Sequence, residues 1–187
     1  MLRSLLTLSA FAATAAALAV PVNITLTGVG SGSLEGTAFT GARYTITGTG
    51  YSEDASLDIA GTRSLNLTSF GFSVEGVGDG FFNDTGRFFI NVSGVVGFGA
   101  YFGEDFIDAM IGNPIVGYDY STDFSPTYGF IFYEDLDSRN TSAGRLTLDS
   151  SGASTLAIDV QAVPEPMSFA ALGLGGLALF RKRRRSA

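Results

Sequence analysis

From residue 22 to residue 160 the chain is a succession of short runs in which apolar and polar residues alternate, separated by clusters of Gly, Asn, Asp, Ser and Thr. A period of two places every second side chain on one face, which is the pattern of a half-buried strand and not of a helix. Val22-Asn23-Ile24-Thr25-Leu26-Thr27 alternates in this way, and Ala42, Tyr44 and Ile46 share one face of the next run. Leu65 and Leu67 have one parity while Phe70, Phe72 and Val74 have the other, so a bulge is expected near Ser69. Phe88, Ile90 and Val92 alternate, as do Phe130 and Phe132, Leu146 and Leu148, and Leu156, Ile158 and Val160. Turn residues at Thr40-Gly41, at Asn83-Asp84-Thr85-Gly86 and at Ser151-Gly152 punctuate the runs, and 25 glycines serve such a layout. Strands recurring about every ten residues predict an all-β, antiparallel β-sandwich. One segment departs from the pattern. In GEDFIDAMIG, acids come first and Phe106, Ile107, Met110 and Ile111 recur at helical spacing, which predicts one short helix over 104–111.

The two ends read differently from this body. Arg3 precedes an apolar stretch from Leu5 to Leu18, and Ala17-Leu18-Ala19 forms a small-residue cleavage site. These are the parts of a secretory signal helix cut after Ala19. At the other end, Met167–Phe180 holds no charge and is followed by Arg181, Lys182, Arg183, Arg184 and Arg185. As a helix those apolar residues span roughly 21 Å, a short transmembrane segment that the flanking bases hold on the cytoplasmic side. Pro164 and Pro166 resist helix, so the junction before the span is extended and accessible. The chain therefore divides into a signal over 1–19, a β body over 20–162 and a C-terminal segment over 163–187.

The combination of Val163-Pro164-Glu165-Pro166, a small-residue apolar run and terminal arginines resembles the PEP-CTERM sorting signal of bacteria. That resemblance implies recognition by an exosortase, cleavage near Pro-Glu-Pro, and export to the cell surface or extracellular matrix of an exopolysaccharide-producing bacterium. The same tail type is also catalogued as an ice-binding protein C-terminal domain. The body resembles a passenger type that travels with this tail, in GSGSLEGTAFTGARYTITGTG, VVGFG and TSAGRLTLDSSGASTLAID. No activity comes with that likeness. The implied partners are the exosortase and the export machinery, the membrane before processing, and exopolysaccharide.

Composition narrows the chemistry. The net charge is −7, and residues 20–163 carry 17 acids against five arginines, so the body repels nucleic acid. With no His and no Cys, Ser-His-Asp and Cys-His catalysis and the usual zinc ligand sets are excluded. Asp84-Thr85-Gly86 matches the aspartic-protease tripeptide, but that chemistry needs two aspartates sharing a proton and the chain has one copy. Asn83 and Arg87 beside it suit a hairpin tip. A pair of carboxylates would serve a glycoside hydrolase, yet there is no Trp to form a sugar platform. Calcium ligands are offered by Asp79, Asn83 and Asp84 in one loop and by Glu134, Asp135, Asp137 and Asn140 in another. Arg139 stands at a ligand position of the EF-hand pattern and the central glycine is missing, so solvated acidic loops are expected and no cofactor. Thr45, Thr47 and Thr49 place three hydroxyls on one strand face, a single row of the kind that orders water when many rows lie side by side. The N-x-S/T sequons at Asn23, Asn66, Asn83, Asn91 and Asn140 fit turn composition. The expectation is an exported, non-catalytic structural or interaction protein, with a carbohydrate-binding module as the alternative and a glycosidase as a lesser one.

Overall fold

The computed structural model describes residues 19–101, 104–136, 139–149 and 152–161. Eleven strands run through them: β1 Pro21–Leu34, β2 Thr37–Leu57, β3 Arg63–Val74, β4 Gly78–Phe81, β5 Gly86–Ile90, β6 Val95–Ala100, β7 Asp105–Met110, β8 Phe124–Glu134, β9 Arg139–Thr141, β10 Gly144–Asp149 and β11 Gly152–Val160. The one helical element described is a three-residue 3-10 turn, Asn113–Ile115. Every pairing is antiparallel. Neighbours run β1-β2-β3-β5-β6-β7-β8-β11, and β11 returns to β1 through Val22↔Val160 to Thr27↔Thr155, which closes an eight-stranded barrel.

The all-β antiparallel class is as the alternation predicts, but the strands form one closed sheet where two stacked sheets were expected. The difference comes from the lengths of β1 and β2, 14 and 21 residues. Each is long enough to pair with different partners along its course. β1 pairs with β11 over its first half and with β10 over Ser31–Leu34. β3 pairs with β5 over Arg63–Asn66 and with β4 over Gly71–Val74. Beyond the barrel, β1, β2 and β3 thus carry β4 on one side and β10–β9 on the other. A bridge between Phe82 and Thr141 joins these two flaps, with Ser142 N–H donating to the Phe81 carbonyl at 2.8 Å. Closure satisfies the backbone groups that open edges would leave unpaired.

The alternation fixes which way each strand faces. Val22, Ile24 and Leu26 are buried, as are Tyr44 and Ile46. The parity flip in β3 is a bulge. Thr49 pairs with Ser69 and Gly50 with Leu67, so Thr68 is the extra residue and both Leu67 and Phe70 reach the core. Phe70 is its centre, its ring stacked 4.2 Å from Phe82, 5.4 Å from Phe98 and 5.9 Å from Phe106. Each such ring contributes about 1.5–3 kcal/mol by leaving water. The Arg139 guanidinium lies over Phe106 at 4.2 Å while pairing with Glu104 and Asp135.

Several local expectations are refined or corrected. The segment 104–111 is strand, not helix. Phe98 pairs with Ile107 and Gly99 with Asp105, so Phe106 is a bulge residue. That bulge buries Phe106 and Ile107 in succession, and with Ala109 it imitates a helical face. A segment this short nucleates no helix against two flanking ladders. Thr40-Gly41 is not a turn but a bulge opposite Ser31, whose hydroxyl accepts from Gly41 N–H. The turn lies at Glu35-Gly36, both with positive φ, as two-residue hairpins prefer. Phe130 and Phe132 alternate as expected but face outward, and Ile131 between them is the buried residue. Val92 lies past the end of β5 and is exposed.

Candidate functional site

The outward positions of β11, β1, β2 and β3 come into register as rows. Thr155, Thr27, Thr45 and Ser73 face one another across four strands. The next row is Ala157, Thr25, Thr47 and Gly71, and the third is Asp159, Asn23, Thr49 and Ser69. The single row Thr45-Thr47-Thr49 recognised in the sequence is therefore one column of a lattice. Its columns stand about 4.8 Å apart and its rows about 6.8 Å apart. One hydrogen bond lies within it, from the Thr49 hydroxyl to Asn23 Oδ1 at 3.0 Å. The hydroxyl-bearing side chains of Thr25, Thr27, Thr45, Thr47 and Thr155 face outward, and no hydrogen bond joins their hydroxyls to another described residue. Apolar side chains fill the interior while hydroxyls cover this exterior, the reverse of a membrane-spanning barrel.

Two depressions lie along the β11–β1 seam. The first, of about 320 Å³, is lined by Thr27, Val29, Arg43, Tyr128, Ala153 and Thr155 with the backbone of Gly28 and Ser154. The second, of about 440 Å³, is lined by Asn23, Thr25, Asp123, Pro126, Ala157 and Asp159 among others. Thr27 follows Thr25 and Thr155 precedes Ala157 on the same face, so the two make one trough. Tyr128 pairs with Thr155 and stands 85% exposed at its edge. Phe130, next on that face of β8, is half exposed beside Ala153 and Met110. The trough's centre carries no charge. Arg43 sits near one end, and Asp123 and Asp159 at the other, where Asp123 accepts from Val160 N–H at 2.8 Å.

A second cluster lies on the opposite side of the barrel. The Phe106 bulge turns both Asp105 and Asp108 outward, over Gly99 and Gly97 of β6. Arg87 holds Asp105 at 2.8 Å, donates to the Ala100 carbonyl and lies over the Phe89 ring. Asp108 Oδ1 is buried without a hydrogen-bond partner. Its carboxyl is raised from 3.8 to about 7, first by burial and second by the charge of Asp105, with Arg87 opposing. Tyr133, across from Asp108, is pushed up as well, by burial and then by surrounding acids beginning with Asp135. Asp105 and Asp108 are thus neighbouring carboxylates on one face of β7. They line neither of the two depressions along the β11–β1 seam.

The other residues singled out in the sequence are dispersed. Asp79 is exposed on β4, and Asp84 is exposed in the bend before β5; β4 and β5 each pair with β3 and not with one another, so Asp84-Thr85-Gly86 lies in a connector and not at the hairpin tip expected of it. Asp135 is engaged by Arg139 at 3.6 Å. Asp137 lies outside the described residues. Among the described residues no three Asp, Glu, His or Cys gather as a metal-binding group. Ala17, Val163, Pro164, Glu165, Pro166 and Arg181 to Arg185 with Lys182 lie outside the described residues, as do the segments expected to form the signal and transmembrane helices. Ala19 is exposed just before β1. Tyr128 and Asp108 are the residues the sequence did not flag. Tyr128 lies in an unremarkable S-P-T-Y-G stretch, and Asp108 was assigned to a helix.

No family model, no curated protein and no solved structure matches this chain.

Proposed function

We propose that the chain is an exported bacterial protein of the cell surface or extracellular matrix, sorted by an exosortase through its C-terminal segment, with a barrel body that is non-catalytic and serves in interaction. The observation that carries this is the order Val163-Pro164-Glu165-Pro166, uncharged Met167–Phe180, then Arg181 to Arg185, opposite a cleavable signal. Five bases resist crossing a bilayer, at about 2.5–3.5 kcal/mol each, so the tail stays inside while the body is outside. The barrel supports the same arrangement. Val22 pairs with Val160, and Gln161 N–H donates to the Pro21 carbonyl at 3.0 Å. The first and last strands of the body are thus neighbours, and the two processing points lie close to them in sequence.

The test is fractionation of the full chain carrying a tag before Pro164, in cells with and without the sorting protease. Glu165→Ala is expected to leave the protein exported and anchored but uncut. Replacing residues 181–185 with Ser is expected to loosen orientation and release uncut protein. Identical size and location of the tagged body in both strains would reduce the tail to a plain anchor.

A second reading, a carbohydrate-binding module, is favoured by the hydroxyl-lined trough with Tyr128 at its rim. Glycoside hydrolysis draws support only from Asp105 and Asp108, whose separation from the trough argues against it.

A further inference from the structure

We infer that the trough along β11 and β1 is a binding site for an uncharged polysaccharide chain, with Tyr128 as its stacking platform and Thr25, Thr27 and Thr155 as its hydrogen-bonding floor. The inference rests on the carbohydrate-binding reading and assigns it a location and a ligand class. Sugar rings present an apolar C–H face and a rim of hydroxyls. They are bound by a flat ring on one side and by groups that both donate and accept on the other. Threonine hydroxyls do both, and their stiff χ1 holds them in place before the ligand arrives. The floor hydroxyls have no partner within the described protein, so the bonds they make to a ligand replace only bonds to water.

Charge selects the class. The body carries 17 acids, yet none lies among the central floor residues Thr25, Thr27, Thr155 and Ala157. The charged side chains that line the trough, Arg43 and the pair Asp123 and Asp159, are confined to its two ends. A polyanion would meet the acids at one end without compensation, and a polycation would find no acid in the centre. Length points to a chain rather than a single sugar. From Asn23 to Val29 the floor extends about 20 Å at 3.4 Å per residue. A peptide adding to a sheet edge is disfavoured, since β11 and β1 each have a strand on both sides here. A planar ice face is disfavoured too, because the twist of a closed barrel and the standing ring of Tyr128 break the plane.

The experiment is native affinity electrophoresis of the full-length protein in detergent, through gels containing hydroxyethylcellulose, laminarin or galactomannan, with alginate as the polyanion. Variants are Tyr128→Ala, the pair Thr27→Val and Thr155→Val, and Asp84→Asn as a distant control. Retardation by at least one neutral polymer is expected, weakened about tenfold by Tyr128→Ala and comparably by the threonine pair, and unchanged by Asp84→Asn. Valine keeps strand propensity, so an unchanged melting temperature separates lost contact from lost fold. No retardation by any neutral polymer overturns the inference, as does retardation that the variants leave intact. Retardation by alginate alone overturns the neutral trough while leaving a carbohydrate-binding body. Ice-crystal shaping without retardation overturns both, and none of these outcomes bears on the sorting of the tail.

Discussion

Replacing Asp108 with Asn should stabilise the protein by an amount that grows from nothing near pH 4 to its full value above about pH 7. Asp108 lies on the outer face of β7 over Gly97, where a Cβ would collide with its carboxylate and stand 2.6 Å from the Phe89 ring. The Arg87 guanidinium beside it is committed to Asp105 at 2.8 Å. Folding therefore takes a carboxylate out of water and sets it next to another negative charge. The folded group titrates at about 7 against an ordinary 3.8. In the unfolded chain the proton leaves first, so stability falls as pH rises from about 4 to about 7 and is level above that. At 1.36 kcal/mol per pH unit the ceiling is about 4 kcal/mol. Asp108 is only half-buried, and solvent screening reduces this to about 1–2 kcal/mol. Asn has the same shape and no charge. Urea unfolding of Asp108→Asn and the parent is expected to show no gap at pH 4, opening to about 1–2 kcal/mol in favour of the variant at pH 8. A gap that is constant between these pH values, or a variant less stable at pH 8, would refute the reasoning.

Two further substitutions probe packing. Gly94 has φ +78°, and a Cβ there would stand 2.6 Å from the Gly112 carbonyl carbon, while its own carbonyl accepts from Ile111 and Gly112 N–H. Gly94→Ala is expected to cost about 2–4 kcal/mol by chemical denaturation, and a loss under 1 kcal/mol would mean the turn has room to relax. Tyr120 is fully buried against Phe88 and Tyr118, and its hydroxyl has no partner, which burial pushes far up in pKa. Tyr120→Phe keeps the ring and removes an unsatisfied donor, so unfolding should show stability unchanged or raised by about 1 kcal/mol. A loss of that size would instead place an ordered water on the hydroxyl.

How much of this was legible from the residues depends on which side of the sheet they occupy. Inward positions are selected by packing, so Val22, Ile24 and Leu26 or Leu146 and Leu148 announce their strands, and a parity flip such as Leu67 to Phe70 announces a bulge. The same logic misled at Phe106, because a bulge buries two successive residues and reproduces a helical signature within six positions. Closure was hidden for a different reason. It depends on Val22 meeting Val160, a contact between distant parts of the chain that no local pattern encodes. Outward positions are the least legible of all. Thr25, Thr27, Thr45, Thr47 and Thr155 each read as the polar half of an alternation, and singly each is only a good strand residue. Their chemistry arises from adjacency, and adjacency is set by register. Shifting β1 by one residue against β2 would send the hydroxyls inward and the core outward. The packing of Ile24, Leu26, Tyr44 and Ile46 forbids that shift. The buried face therefore holds the exposed one in order, and the trough is a consequence of a core that the sequence does specify.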